Sequence, residues 1–488
     1  MRETIRFLFG DDECAIRNPE PTLTVLEWLR RDMRACGTKE GCAEGDCGAC
    51  TVVLGAAAGE GMCYRAVNAC ILFLPALDGK QLLTVEHLRA PDGALHPVQQ
   101  AMVEHHGAQC GFCTPGFVMS LFALYHGGEG GGRTAANEAL AGNLCRCTGY
   151  RPILDAARAA CAGPPADRFA ASAAATAARL RGLASATMLA AEHDGQRFLA
   201  PRNAAELAEA LAAHPRATLL AGGTDVGLWV TKQHRRLDTV IAVEHVVELS
   251  EIAECDGVLA IGAGVTYGDA FAALVRHWPS LGPLLRRLGS RQIRNRGTLG
   301  GNVANASPIG DTPPALIALD ATLVLRGSGG ERRIAAADFF RGYRQTALTD
   351  GEFLARIEIP VPKAGEIFAT YKVAKRMDQD ISAVCGAFRL RMHHGHVADI
   401  RIAFGGMAAV PKRAVAAEQA LDGRIWNRAS IDPALNALDI DLNPITDMRA
   451  SARYRRLVAR NLLLRFLLET APDGDVPTRL SVMEEMPA

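Results

Sequence analysis

The chain has 488 residues, with 53 Lys and Arg balanced by 53 Asp and Glu, and 49% of its residues are apolar. Zero net charge gives no case for a nucleic-acid or anionic-membrane surface, and the length suggests three or four domains, each able to bury a core. No apolar run approaches transmembrane length and Met1-Arg2-Glu3 opens no signal peptide, so the expected location is cytoplasmic, where 14 cysteines point to metal or redox chemistry rather than disulfides.

Residues 1–88 read as a small β-rich domain. Thr4–Phe9 alternates as a strand, Gly10-Asp11-Asp12 turns, and 13–16 returns. Helical spacing follows over 24–34, in Val25, Leu26, Leu29 and Met33. Then comes Gly41-Cys42-Ala43-Glu44-Gly45-Asp46-Cys47-Gly48-Ala49-Cys50, before strands at 50–54 and 81–85. The spacing C-x4-C-x2-C, completed by Cys70, is that of a plant-type [2Fe–2S] cluster. Gly41, Gly45 and Gly48 allow a tight wrap that aims backbone N–H groups at sulfur. A structural zinc site is the competing reading, and Cys36 and Cys63 compete as ligands on spacing alone.

Residues 89–165 change character. Helices are expected at 97–106, 114–126, 137–143 and 152–160. Cys110 and Cys113 form C-x2-C, and Cys145 and Cys147 form C-x-C. Each pair directly precedes a helix start, a setting that favours an anionic second cluster. Residues 166–195 are Ala-rich and read as a linker or a lone helix.

From 196 to 365 the pattern is α/β. A helix is expected at 204–214 and a short strand at 218–221, running into Gly222-Gly223-Thr224-Asp225. A second Gly-rich loop is Gly297-Thr298-Leu299-Gly300-Gly301-Asn302, with Ala306-Ser307-Pro308 and Asp311 beyond it. Two loops offering backbone N–H groups suit a long diphosphate cofactor. Gly262-Ala263-Gly264 lacks the spacing of a dinucleotide fingerprint. The run Arg286, Arg287, Arg291, Arg294 and Arg296 reads as a solvated face, with a place near cofactor phosphates as the alternative. A strand at 353–359 closes this domain. Residues 366–472 form a last domain with strands at 384–391 and 397–404 around a polar His393-His394-Gly395-His396 turn, and a helix at 450–468. Residues 473–488 read as a tail.

With these motifs in view, the sequence resembles the molybdenum hydroxylases. The likeness is carried by the Cys42–Cys50 loop, by Gln109-Cys110-Gly111-Phe112-Cys113-Thr114-Pro115-Gly116, and by Gly142-Asn143-Leu144-Cys145-Arg146-Cys147-Thr148-Gly149-Tyr150-Arg151-Pro152. Gly300-Gly301-Asn302 with Ala306-Ser307-Pro308 resembles the family's flavin domain, and Phe339-Phe340-Arg341-Gly342-Tyr343-Arg344 is most similar to the xanthine dehydrogenase branch. The nearest likeness is the small iron–sulfur/FAD subunit of bacterial two-subunit forms.

The resemblance implies a multidomain α+β chain. Its parts would be a β-grasp plant-type ferredoxin domain, a four-helix iron–sulfur domain, an α/β FAD-binding domain of two subdomains, and a C-terminal α+β domain. It implies one [2Fe–2S] cluster on Cys42, Cys47, Cys50 and Cys70, and another on Cys110, Cys113, Cys145 and Cys147. FAD would meet Leu219, Leu220, Ala221, Gly222, Gly223, Thr224, Asp225, Val226, Leu288, Thr298, Leu299, Gly300, Gly301, Asn302, Asp311, Leu354 and Lys372. Leu288 stands where some relatives carry an aromatic ring. Nothing up to Ala488 supplies a molybdopterin domain, so a large partner subunit is expected to hold that cofactor, in a pair of heterodimers. The implied role is to pass electrons from hypoxanthine or xanthine oxidation on that partner to FAD and then NAD+, with no catalytic acid or base on this chain. The alternatives are the same role for an aldehyde or another N-heterocycle, and a zinc-structured binding protein without redox function.

Overall fold

The computed structural model describes residues 1–471. They divide into two compact units. One comprises Met1–Val246 with Gly289–Gly297; the other comprises Val247–Leu288 and the described residues from Thr298 onward. Residue 472 and the tail expected at 473–488 lie outside the described residues.

The first unit opens on the expected hairpin, β1 (Thr4–Phe9) against β2 (Asp12–Arg17). Alternation turns Ile5 and Phe7 into the core. The helix expected at 24–34 is looser. α1 (Val25–Glu27) is held by a Thr24–Glu27 capping box and widens into a π-helical turn, Trp28–Asp32. The wider turn buries Val25, Leu26, Trp28 and Leu29 together. β3 (Thr51–Ala58) and β4 (Gly61–Asn68) form a second hairpin. β5 (Gln81–Leu83) inserts between β1 and β3, giving the order β2-β1-β5-β3-β4 with β1 and β5 parallel. This is the β-grasp sheet. β4 carries Gly, Cys and Arg without clean alternation, which is why its sequence gives no strand signal.

The four helices follow: α2 (Pro97–Glu104), α3 (Thr114–His126), α4 (Arg133–Leu140) and α5 (Arg151–Ala160). α3 is apolar on nearly every face and forms the centre, packed with Val53, Tyr64 and Leu83 of the sheet. α4 lies earlier than the expected 137–143. The chain must leave the helix by Ala141 so that buried Asn143 can bond elsewhere. Within 166–195 the structure has α6 (Arg168–Leu183), capped by Asp167, and β6 (Leu189–His193). β6 belongs to a four-stranded sheet ordered β6-β7-β9-β8. Its other strands are β7 (Gln196–Ala200), β8 (Thr218–Leu220) and β9 (Thr239–Ala242), with α7 (Ala204–Ala213) and α8 (Val226–Thr231) between them. Phe198, Leu220 and Val240 share one core with Ile5, Phe7 and Trp28.

The second unit begins with β10 (Ile252–Cys255), β11 (Val258–Gly262), α9 (Tyr267–His277) and α10 (Leu281–Arg286). α11 (Arg291–Arg294) belongs to the first unit. α12 (Leu299–Ala304), α13 (Thr312–Ala318), β12 (Thr322–Gly327), β13 (Gly330–Ala335) and α14 (Ala336–Phe339) come next. A small hairpin, β14 (Phe340–Gly342) with β15 (Gln345–Thr346), precedes β16 (Phe353–Pro360). The antiparallel sheet runs β10-β11-β16-β12-β13. The C-terminal domain is a sheet of β17 (Glu366–Val373), β18 (Val384–His393), β19 (His396–Gly405) and β20 (Lys412–Arg413). α15 (Val415–Leu421), α16 (Asp432–Asp441) and α17 (Ala452–Thr470) complete it, closing a core around Phe388, Phe404 and Phe466.

Candidate cofactor sites

The first cysteine loop connects the π-helical turn to β3. Ala43, Gly45 and Gly48 all have positive φ, near 53°, 79° and 71°. This curls the loop so that N–H groups face sulfur. The Cys42 thiol receives N–H bonds from Glu44, Asp46 and Cys47 at 3.3–3.4 Å, and Cys42 N–H donates to Cys47 Sγ at 3.3 Å. Asn68 Nδ2 lies 3.9 Å from Cys50 Sγ. Cys70 arrives from the segment after β4, and its thiol touches those of Cys42 and Cys50. The structure thus brings Cys42, Cys47, Cys50 and Cys70 together. Cys36 is exposed, and Cys63 stands opposite Ala56 in the hairpin.

The second group forms at helix starts. Cys113 immediately precedes α3, and its thiol meets Cys145; Cys147 meets Cys110. Thr148 donates to Cys145 Sγ from its hydroxyl at 3.2 Å and from its N–H at 3.5 Å. Cys145 N–H donates to the Tyr150 hydroxyl at 2.9 Å. Burial and the neighbouring Cys145 push the Cys113 thiol up to about 12. In the first group, contact with Cys47 and Cys70 holds the Cys42 thiol low, while those same contacts hold Cys47 and Cys70 high. Thiols crowded in this way compete for protons, a conflict that a bound cation relieves. The donor set, four sulfurs with N–H or O–H groups aimed at them in each group, fits an iron–sulfur cluster.

The two loops are directly joined. Leu144 N–H donates to the Cys47 carbonyl at 2.9 Å. Asn143 Nδ2 donates to the Gly48 carbonyl at 3.0 Å and to Thr51 Oγ1 at 3.2 Å. Ser120 donates to Asn143 Oδ1 at 2.6 Å. Gln292 Nε2, from α11, reaches Asn143 Oδ1, Ser120 and Thr51 at 3.0–3.3 Å. Gly48 permits this junction, since a Cβ there would collide with the Gly142 carbonyl and Asn143.

The expected flavin contacts fall in both units. In the first, Leu219 and Leu220 end β8, and Ala221, Gly222, Gly223, Thr224 and Asp225 lead into Val226 at the start of α8. A Cβ at Gly222 would collide with the Arg296 carbonyl, so this glycine serves chain packing. Gly223 has φ 77°. Asp225 Oδ2 is buried with no hydrogen-bond partner, an acceptor that a sugar hydroxyl would satisfy. In the second unit, the loop expected to offer free N–H groups is instead a capped helix start. Thr298 Oγ1 accepts Gly301 N–H at 2.9 Å, its carbonyl accepts Asn302 N–H, and Leu299 N–H donates to Val265. Gly300 presses on Ala263. Asp311 pairs with Lys372 at 2.6 Å and accepts from Ser382 at 2.5 Å, both within the protein interior. Leu354 is buried in β16, and Leu288 is half-buried after α10. In the first unit, the orphaned Asp225 acceptor suits a polyhydroxylated cofactor.

The basic run is not a solvated face. Arg294 is 4% exposed and pairs with Glu138; Arg291 pairs with Glu129; Arg296 grips Glu244 at 2.6 and 2.9 Å. Arg287 donates to the Lys372 and Met377 carbonyls. Their partners are far away in sequence, so local charge pattern could not show them. Sequence reading also missed a buried cluster in which His96 and His126 both donate to Asp167 Oδ2, at 2.6 and 2.9 Å. Only the capping position of His96 before Pro97 hinted at it. These are hydrogen-bond distances, and His96 Nδ1 already accepts Val98 N–H, so the cluster reads as structural.

Comparison with known proteins agrees with this geometry. Family profiles match at residues 84–158 ([2Fe-2S] binding domain), 192–362 (FAD binding domain in molybdopterin dehydrogenase) and 369–470 (CO dehydrogenase flavoprotein C-terminal domain). Xanthine dehydrogenase of Emericella nidulans is 32% identical over 95% of this chain and 38% of its own length. Nicotinate hydroxylase of the same organism is 29% identical over 95% of this chain and 40% of its own. The chain therefore spans well under half the length of these relatives. Carbon monoxide dehydrogenase of Hydrogenophaga pseudoflava superposes with a TM-score of 0.53 at 30% identity, covering 55% of this chain and 94% of that one. Quinoline 2-oxidoreductase of Pseudomonas putida 86 gives 0.52 at 30%, covering 56% and 96%. The chain belongs to the molybdenum hydroxylase family and carries that family's iron–sulfur and flavin-binding domains.

Proposed function

We propose that this chain is the electron-transfer subunit of a cytoplasmic xanthine dehydrogenase. It would take electrons from hypoxanthine or xanthine, oxidised on a molybdopterin-bearing partner, and deliver them to NAD+. Cys42, Cys47, Cys50 and Cys70 would hold one [2Fe–2S] cluster, and Cys110, Cys113, Cys145 and Cys147 a second. The residues proposed for FAD are 219–226 in the first unit and, in the second, Leu288, Thr298, Leu299, Gly300, Gly301, Asn302, Asp311, Leu354 and Lys372. When bound, the clusters carry single electrons and FAD converts them to a two-electron hydride. The protein's own part is to hold the sulfurs, aim donors at them and fix one loop against the other.

The observation that carries this reading is the pair of four-thiol groups joined by the Leu144–Cys47 backbone bond. Phe112, Leu144 and Tyr150 are exposed beside exposed Cys110 and Cys147, an apolar rim suited to the partner subunit, in a pair of heterodimers. The test is analysis of the co-purified complex. Expected are four irons, four labile sulfides and one FAD per chain, molybdenum only with the partner, and xanthine-dependent reduction of NAD+. Stoichiometric zinc would sink the reading. A second reading keeps the same role but assigns another N-heterocycle or an aldehyde. The likeness to nicotinate hydroxylase and quinoline 2-oxidoreductase supports it. Activity with those substrates and none with xanthine would select it.

A further inference from the structure

We infer that Tyr267 and Thr312 are positioning residues that fix the side-chain amide of Asn302 as a hydrogen-bond donor toward FAD. The inference rests on the flavin reading above. All three residues lie in the second unit. Tyr267 starts α9 and is 3% exposed; Thr312 starts α13 and is 3% exposed. The Tyr267 hydroxyl lies 3.1 Å from Thr312 Oγ1, and Thr312 Oγ1 lies 2.8 Å from Asn302 Oδ1.

The direction of this chain follows from counting protons. An amide carbonyl oxygen only accepts, so Thr312 must give its single hydroxyl proton to Asn302. Thr312 Oγ1 is then left with lone pairs only, so Tyr267 must donate to it. With Asn302 Oδ1 against Thr312, the relay runs from Tyr267 O–H to Thr312 O–H to Asn302 C=O. Burial pushes the Tyr267 phenol further up, so it keeps its proton throughout the working pH range. Turning the amide over would reverse the relay, with Asn302 N–H donating to Thr312 and Thr312 to Tyr267, and would leave the buried Tyr267 phenol proton without the acceptor it now has. Gly310 closes the same side, since a Cβ there would sit 3.2 Å from Asn302 Oδ1.

The consequence is chemical selectivity. Three neighbouring backbone donors are already used: Gly301 N–H and Asn302 N–H both bond Thr298, and Leu299 N–H bonds Val265. With Oδ1 held inside the protein, Asn302 presents only its two N–H groups outward. That favours an acceptor-rich ligand, such as a diphosphate or a flavin carbonyl, and disfavours a donor group.

The test measures FAD affinity of the full chain after flavin removal and titration, with iron content and the urea-unfolding midpoint as folding controls. Thr312→Val should weaken FAD about tenfold, the scale of one mis-set buried hydrogen bond. Thr312→Ser keeps the hydroxyl and should bind like wild type. Tyr267→Phe should weaken binding about threefold, as the relay loses its outer donor. The decisive measurement is a double-mutant cycle. In an Asn302→Ala background Thr312→Val should add nothing, whereas general disruption of the fold would add its full effect. Wild-type affinity in iron-replete Thr312→Val, or additivity in the cycle, overturns the proposal. If Thr312→Val loses its iron, Tyr267→Phe decides, and unchanged affinity there overturns it. Wild-type protein that takes up no FAD would refute the flavin reading itself, a result distinct from all of these.

Discussion

The two cysteine groups solve one problem in opposite ways. The first is sunk into the β-grasp core: Cys50 and Cys70 are each 2% exposed, and four sulfur contacts come from backbone N–H groups of the same loop. The second lies open, with Cys110 and Cys147 exposed and Thr148 as its side-chain donor. In the first, geometry is built into backbone torsions. In the second, helix starts hold the sulfurs and the surface stays available. Burial and hydrogen bonding to sulfur are the levers that set a cluster's potential, so this difference should separate the two groups in energy.

The sharpest way to break the contrast is at their junction. Gly48→Val places a side chain on the Gly142 carbonyl at a positive φ. It should cost more than about 4 kcal/mol and remove iron from both groups. Retention of either cluster, read by electron paramagnetic resonance, would show the loops to be independent.

Next come the thiols themselves. In iron-free chains, Cys50→Ser should lower stability by about 2 kcal/mol, because a hydroxyl replaces sulfur in the core. Cys147→Ser should stay within about 0.5 kcal/mol of the parent, since the position is exposed. Urea titration measures both, and equal costs would erase the buried-versus-open distinction.

Acid should separate the regions too. Burial, then Lys80, pushes His245 down from 6.5 to about 4. Its folded value is below its unfolded one, so its stabilisation is complete above 6.5 and fades as pH falls toward 4. Beside the helical domain, burial raises Asp167, but hydrogen bonds from His126, His96 and Ala170 outweigh it and hold the carboxyl below the usual range. That contribution is complete above about 4 and fades only under stronger acid. Thermal melts from pH 7 to pH 4 should therefore show the first loss on the β-grasp side, and replacing His245 by Gln should flatten that slope.

The smallest effect is local. Thr148→Val removes a donor from Cys145 Sγ and should lower the potential of the second group alone by about 40 mV, the one-electron equivalent of a hydrogen bond worth about 1 kcal/mol. Redox titration followed by electron paramagnetic resonance resolves the two signals. A shift in the first group instead would mean that the assignment of donors is wrong.

What the sequence made legible was local. Cysteine spacing, the Pro-marked helix starts at Pro97 and Pro115, and the first hairpin could all be read within a dozen residues. β4 was hidden by Gly61, Cys63 and Arg65, which break alternation although the strand is fully paired. The π-helical turn after Glu27 was hidden because a wider turn and a regular one share the same apolar spacing. The pairing of Arg294 with Glu138, across 156 residues, and the reach of Gln292 to Thr51, across 241, leave no periodic trace. Glycines carry more than one demand. Gly222 and Gly300 were read for a cofactor, and the structure adds a packing role, since each stands where one stretch of backbone crowds another.

The Gln292 contact also bears on the order in which a ribosome-bound chain reaches its final state. Asn143, Ser120 and Thr51 are made early, but the amide that ties them together emerges 241 residues after Thr51. At about 5–20 residues per second, the N-terminal domains wait at least roughly ten seconds with that buried polar junction unfinished. That junction can therefore be completed only after α11 has been made. Truncation before residue 289 would leave that junction permanently short of one donor.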